Sequence, residues 1–186
     1  NVIGGVRRNL DPGQLRWMLG QLEWVEDEVK RLEATMMDDY TVKKRTVGKG
    51  ALTRAQACEL GAVGPTLRGS GVAQDIRQAG YAAYADLNFE PVVETDGDCY
   101  ARARVRFREV SVSVDLIRLA INKLPDGEVR AKVKALTPPK GETVSRVEQP
   151  RGELLYYIKG SGTKYLDRVR IRTPTFANIP PLLAML

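Results

Sequence analysis

Two apolar stripes at helical spacing constrain this chain more than any other feature. Leu15, Leu19, Leu22, Val25, Val29 and Leu32 follow one another at steps of 4, 3, 3, 4 and 3. Asp11 and Pro12 precede them, a cap and a first-turn proline that predict a helix start. The second stripe runs through Tyr100, Ala103, Phe107, Val110, Val114, Ile117, Ile121 and Leu124. Part of it, "ARARVRFR", also alternates apolar with arginine in the manner of a strand. That alternation changes phase at Val110, whereas the 3–4 spacing does not, so the spacing predicts one long helix over 97–125. Asp98 can cap its start, and Pro125 with Gly127 ends it. The arginines then spread around the helix flanks, suited to pairing with Glu109, Asp115 and neighbouring acids and poorly arranged for a nucleic-acid groove.

Between the stripes, Thr53 followed by Gln56 predicts a capping box and a short helix to about Leu60. "GAVGPTLRGSGVAQDIRQ" carries Gly61, Gly64, Pro65, Gly69 and Gly71, which predict an irregular loop before a further helical turn. It matches neither the P-loop nor the dinucleotide fingerprint. Arg68 within it reads as a structural tie to carbonyls or as a site residue. "FEPVVE" reads as a short strand, and "LTPPKGETVSRVEQPRG" as a loop. A β-hairpin follows, Glu153–Lys159 and Thr163–Arg172 around Gly160-Ser161-Gly162. Its second strand places Tyr165, Val169 and Ile171 on one face and Arg168, Arg170 and Arg172 on the other. Pro174 stops the ladder, and Asn178 with Pro180 starts a last helix. The expected fold is a single α+β domain over 1–186, helical over 1–90, with the long helix at 97–125 and loop and hairpin over 137–174.

The chain has 186 residues, no histidine and two cysteines, Cys58 and Cys99. Two thiols so far apart form neither a CxxC pair nor a disulfide framework, which points to a reducing, cytosolic setting. Without imidazole, acid–base chemistry falls to carboxylates, Lys, Tyr, Ser/Thr or Arg. The formal charge of +6 is interleaved with acids, and no nucleic-acid motif is present. No eighteen-residue apolar run exists, so no membrane span is expected. The chain opens at Asn1 without Met and closes on the apolar "IPPLLAML", and it reads as a piece cut from a longer protein.

One arrangement asks for more than a hairpin needs: Arg151 between Pro150 and Gly152 ahead of the strands, and Thr173-Pro174-Thr175 after them. Read alone, Arg151 could cap or pair with Glu148. In order along the chain stand "IGGVRRNL", "VGPTLRGSGVAQDIRQAGYAAY", "DGDCYARARVR", "VEQPRGELLYYIKG" and "RVRIRTPTFANIP". Together they resemble the large subunit of [NiFe] hydrogenases of the energy-converting, membrane-bound branch, and the related hydrogenase-like subunit of respiratory complex I.

The resemblance implies a subunit that interconverts H2 with protons and electrons. Its partners are then an iron–sulfur small subunit and membrane subunits, on the inner face of the cytoplasmic membrane. It implies a NiFe centre in the intact subunit, held by two Cys-x-x-Cys motifs. This chain has neither, so no metal and no hydrogenase activity are expected of it alone. Cys58 and Cys99 do not match ligand positions. In that family the arginine of the Pro-Arg-Gly motif overhangs the metals, and Arg151 is its match. Pro150 would fix the backbone, and Thr173, Pro174 and Thr175 would lie near the cyanide ligands of iron. Arg68 and Asp75 would fasten the Gly-rich loop. The alternative within the resemblance is a quinone-reducing complex I subunit without nickel, and outside it a basic binding module.

Overall fold

The two stripes meet. The structure, a computed structural model, describes residues 3–133 and 137–186. Asn1 and Leu136, where the chain and the proline-rich loop are expected to begin, lie outside them. Helix α1 (Pro12–Asp38) starts where Asp11 accepts hydrogen bonds from the backbone N–H groups of Gly13 and Gln14, while the Gln14 side chain accepts from Asp11 N. Helix α2 (Tyr40–Thr46) continues after a break at Asp39, and α3 (Arg54–Glu59) carries the Thr53–Gln56 capping box. Helix α4 (Pro65–Arg68) is one buried turn, and α5 (Cys99–Asn122) is the long helix that packs along α1. Arg118 pairs with Glu26 at 2.7 Å across that contact, and Tyr100 donates to the Met37 carbonyl at 2.8 Å.

"DGDCY" is spent on fixing the start of α5. Gly97 has φ +68°, and a Cβ there would lie 2.4 Å from the Leu52 carbonyl oxygen. One Asp98 oxygen caps α5 through Ala101 N, and the other accepts from Gly48 N, each at 2.7 Å. Buried Arg102 donates to the carbonyls of Gly97 and Gly50. Beside this knot lies the apolar core of Leu52, Ala57, Ala62 and Leu67, against which Leu60, Val72 and Met185 pack. Each fully buried leucine contributes about 1.5–3 kcal/mol.

After α5 the chain forms an antiparallel sheet in the order β1 (Lys140–Gln149), β2 (Gly152–Ser161), β3 (Leu166–Arg172). Two short helices close it, α6 (Pro174–Ala177) and α7 (Ile179–Met185). The architecture is the expected α+β mixture, with three corrections. "FEPVVE" forms no strand. Pro91 lacks a donor, and only Glu94 makes paired backbone bonds, to Arg68 O and Gly71 N. The stretch expected as loop is largely β1. Most of that strand is exposed, so no apolar alternation marks it, and it is held by a ten-pair register with β2. The second hairpin turn is longer than Gly160-Ser161-Gly162, because the Ser161 and Thr163 hydroxyls bond the Tyr165 backbone and delay β3 to Leu166. Tyr165 therefore sits in the turn.

Candidate functional site

The site begins with a two-residue turn. Gln149 pairs with Gly152, so Pro150 and Arg151 are the tip of the β1–β2 hairpin. Proline suits this tip because its fixed φ presets the bend. The tip is pressed against the Gly-rich segment by two glycines. Gly64 has φ +65°, and a Cβ on it would fall 2.4 Å from Arg151 O and 2.5 Å from Gly152 Cα. Gly152 has φ +124°, and its Cβ would fall 2.7 Å from Gly64 N. Real side chains do not fit at such distances, so backbone meets backbone here.

From the other side comes the end of β3. Thr173 caps α6 by accepting from Phe176 N, and Pro174 is buried at the first position of that helix. Thr175 then faces the hairpin tip, and Arg151 Nη1 donates to Thr175 Oγ1 at 3.1 Å. Gln149, Pro150, Arg151, Thr173, Pro174 and Thr175 line one recess of about 460 Å³. All five residues singled out in the sequence are thus brought together. The recess offers a guanidinium and two hydroxyls, a set that donates to an anionic or polar group.

Arg151 does not pair with Glu148. Glu148 belongs to a buried charge cluster centred on Arg68, which is 1% exposed. Arg68 Nε donates to Glu109 at 2.6 Å, and its Nη1 reaches Asp75 at 2.9 Å and Glu148 at 3.0 Å. Asp75 also takes a two-pronged bond from Arg77, at 2.9 and 2.7 Å. Of the two readings of Arg68, the structural tie is the one observed: α4, α5, β1 and the 3-10 turn at 76–79 are joined through it. The rest of the fastening is Asn178, whose side chain accepts from Val63 N at 2.9 Å and donates to Val63 O at 3.1 Å.

A second, larger recess of about 490 Å³ adjoins the first, walled among others by Tyr84, Glu109, Val110, Glu148, Pro150 and Arg151. Burial pushes the carboxyls of Glu109 and Glu148 above the usual range, against the pull of Arg68. Sequence reading did not single out Glu109 or Glu148 as site residues. No local motif marks them, and their only sequence signal is charge inside an apolar pattern.

A metal fits this set poorly. Cys58 is exposed on α3 and Cys99 lies 3.2 Å from Arg102 Nη2, and neither lines either of these two recesses. Among the described residues no group of three or more His, Cys, Asp or Glu is arranged to hold an ion. Around the recess, the described residues supply hydrogen-bond donors.

Comparison with known proteins identifies the family. The chain is 40% identical over 191 residues to the carbon monoxide-induced hydrogenase of Rhodospirillum rubrum, covering 100% of this chain and 52% of that protein. It is 40% identical over 173 residues to an NADH-quinone oxidoreductase subunit of Dehalococcoides mccartyi, covering 92% of this chain and 46% of the relative. Among solved structures it superposes with a TM-score of 0.84 at 30% identity on a chain of the membrane-bound sulfane sulfur reductase, an archaeal respiratory membrane complex, covering 98% of this chain and 56% of the other. The chain spans about half the length of the curated relatives it matches. The family model described as "Respiratory-chain NADH dehydrogenase, 49 Kd subunit" matches residues 1–139 and 132–186. The chain belongs to that family, shared by hydrogenase and NADH-quinone oxidoreductase subunits.

Proposed function

We propose that this chain is the central part of a [NiFe]-hydrogenase large subunit that interconverts H2 with protons and electrons. The complex would be attached peripherally to a membrane and would include an iron–sulfur small subunit. The observation that carries the reading is the Arg151–Thr175 contact at 3.1 Å over a recess shared with Thr173. A guanidinium stays protonated at any working pH, so Arg151 acts as a fixed donor and positive charge, never as a base. Its place between Pro150 and Gly152, pinned on Gly64, fixes that charge before any substrate arrives, which is how a preorganised donor lowers a barrier. A NiFe centre, when bound in the intact subunit, would supply the redox chemistry. Arg151, Thr173 and Thr175 would donate to polar groups held in the recess. No described helix is long and apolar enough to cross a membrane, so attachment would run through other subunits.

A second reading has its own support. The larger recess has walls partly formed by Val110, Pro150 and Tyr84, suited to a flat aromatic head group such as a quinone, and the Dehalococcoides relative is a quinone oxidoreductase subunit. The complete complex decides between them. Hydrogen-dependent reduction of a viologen dye together with stoichiometric nickel supports the hydrogenase reading. Quinone reduction without hydrogen uptake and without nickel overturns it in favour of the second.

A further inference from the structure

The Arg68 cluster is out of balance in charge. Asp75, Glu109 and Glu148 are three carboxylates with side chains at most 13% exposed, and among the described residues they are bonded to two guanidiniums, Arg68 and Arg77. With every group ionised, one negative charge is left over in a place with little water. A low-dielectric setting removes such a charge by taking up a proton.

The bonds indicate where that proton goes. Asp75 has its full complement of partners: both prongs of Arg77, one Nη1 bond from Arg68, and the backbone N–H of Arg77. Glu109 and Glu148 instead divide Arg68 between them, through Nε and Nη1 respectively. Glu148 Oε2 accepts in addition from Ile76 N at 3.2 Å. Among the described residues, the other oxygen of Glu109 accepts no hydrogen bond. Both carboxyls border the larger recess, next to Pro150 and Arg151. Two further guanidiniums border the recess and bond neutral groups: Arg106 donates to the Arg102 carbonyl and Arg151 to the Thr175 hydroxyl. The phenols of Tyr81 and Tyr84 complete the polar surroundings, with Tyr81 Oη accepting from Glu148 N.

We infer that Glu109 and Glu148 share one exchangeable proton and form a proton-holding pair in the recess wall beside Arg151. In use, a proton leaves an acid in the recess and binds a carboxylate oxygen of the pair. The cluster then passes from one net negative charge to neutral, and the return step releases the proton without any electron moving. The shared proton rests on the bonding: two buried carboxyls divide the one guanidinium of Arg68, and Arg68 also serves Asp75. Its service to H2 oxidation rests on the hydrogenase reading above, where protons are the product to be carried away. Burial raises the proton affinity of both carboxyls, in keeping with the pair.

The test is infrared spectroscopy of the intact complex at rest, without hydrogen or quinone, so its outcome is independent of which reaction the complex performs. The wild type should show a deuterium-sensitive carbonyl band of a protonated carboxylic acid at neutral pH that disappears on alkaline titration. Glu109→Gln and Glu148→Gln should each abolish it, because either change brings two carboxylates to face two guanidiniums. Asp75→Asn should abolish it for the same reason, and provides a third route if one glutamine variant does not assemble. Absence of the band from the wild type overturns the proposal. So does its survival in either glutamine variant, which would assign the proton to one carboxyl alone or to another site.

Discussion

Replacing Gly152 by alanine tests the contact that holds the hairpin tip in place. Its φ of +124° strains any L side chain, and the added Cβ would meet Gly64 N at 2.7 Å, Gly64 Cα at 2.9 Å and the Val63 carbonyl carbon at 2.9 Å. Conformational strain of this kind costs about 1–3 kcal/mol, and forcing a methyl group against packed backbone adds about 1–3 kcal/mol. Gly141 supplies the control. It has φ +117° but open space where a Cβ would stand, so Gly141→Ala carries the strain without the clash. At about 2–4 °C per kcal/mol for a body of this size, Gly141→Ala should lower Tm by about 2–12 °C. Gly152→Ala should lower it by a further margin of about 2–12 °C. Thermal unfolding of the full-length subunit, followed by circular dichroism, reads both. Equal losses in the two variants would refute the close approach of Gly152 to Gly64, and with it the anchoring of Arg151.

Other perturbations probe the rest of the scaffold. Asn178→Ala leaves Val63 N–H and C=O without their partner and should destabilise the subunit by about 1–3 kcal/mol, measured as a fall in denaturant midpoint at unchanged slope. Arg68→Met leaves Glu109 and Glu148 without their guanidinium, while Asp75 keeps Arg77, and should cost about 3–5 kcal/mol. The loss should be smaller near about pH 5 than near about pH 8, because protonation relieves the repulsion, and Tm at the two pH values checks it. Glu109 and Glu148 have raised native pKa values, so the folded state binds more protons than the unfolded chain above about pH 4.3. Their contribution is fully present below that pH and is lost as pH rises through the raised values, and Glu109→Gln should flatten this slope. Glu153 behaves in the opposite sense. Burial pushes it up, but Arg146 and Arg172 more than offset this and leave it below the usual range, so its contribution is lost as pH falls. In Glu153→Gln, the decline of Tm on the acid side should be shallower.

Much of the scaffold was legible in the sequence because its signals are local. Capping side chains at Asp11, Thr53 and Asp98 and apolar spacing over a long span mark α1, α3 and α5 without reference to anything distant. What escaped depended on partners elsewhere in the chain. Strand β1 is exposed over most of its length and exists through its pairing with β2, so no periodicity announces it. "FEPVVE" has strand-like composition but no neighbouring edge to join. The recess was legible as two short motifs, and their proximity follows from the register that brings Leu155 opposite Arg172 and Gln149 opposite Gly152. The charge cluster was only partly visible. Arg68 stands out within a glycine-rich run, but Glu109 and Glu148 resemble ordinary surface acids until α4, α5 and β1 are assembled around them.

The account turns on Arg151 as a positioned charge in a working site. The direct measurement is hydrogen-dependent turnover of the complete, assembled complex carrying Arg151→Lys, which keeps the charge but loses the planar donor fork that reaches Thr175. A fall in kcat of about 100-fold, with assembly and metal content unchanged, is the expected result. Turnover within about twofold of wild type would contradict it.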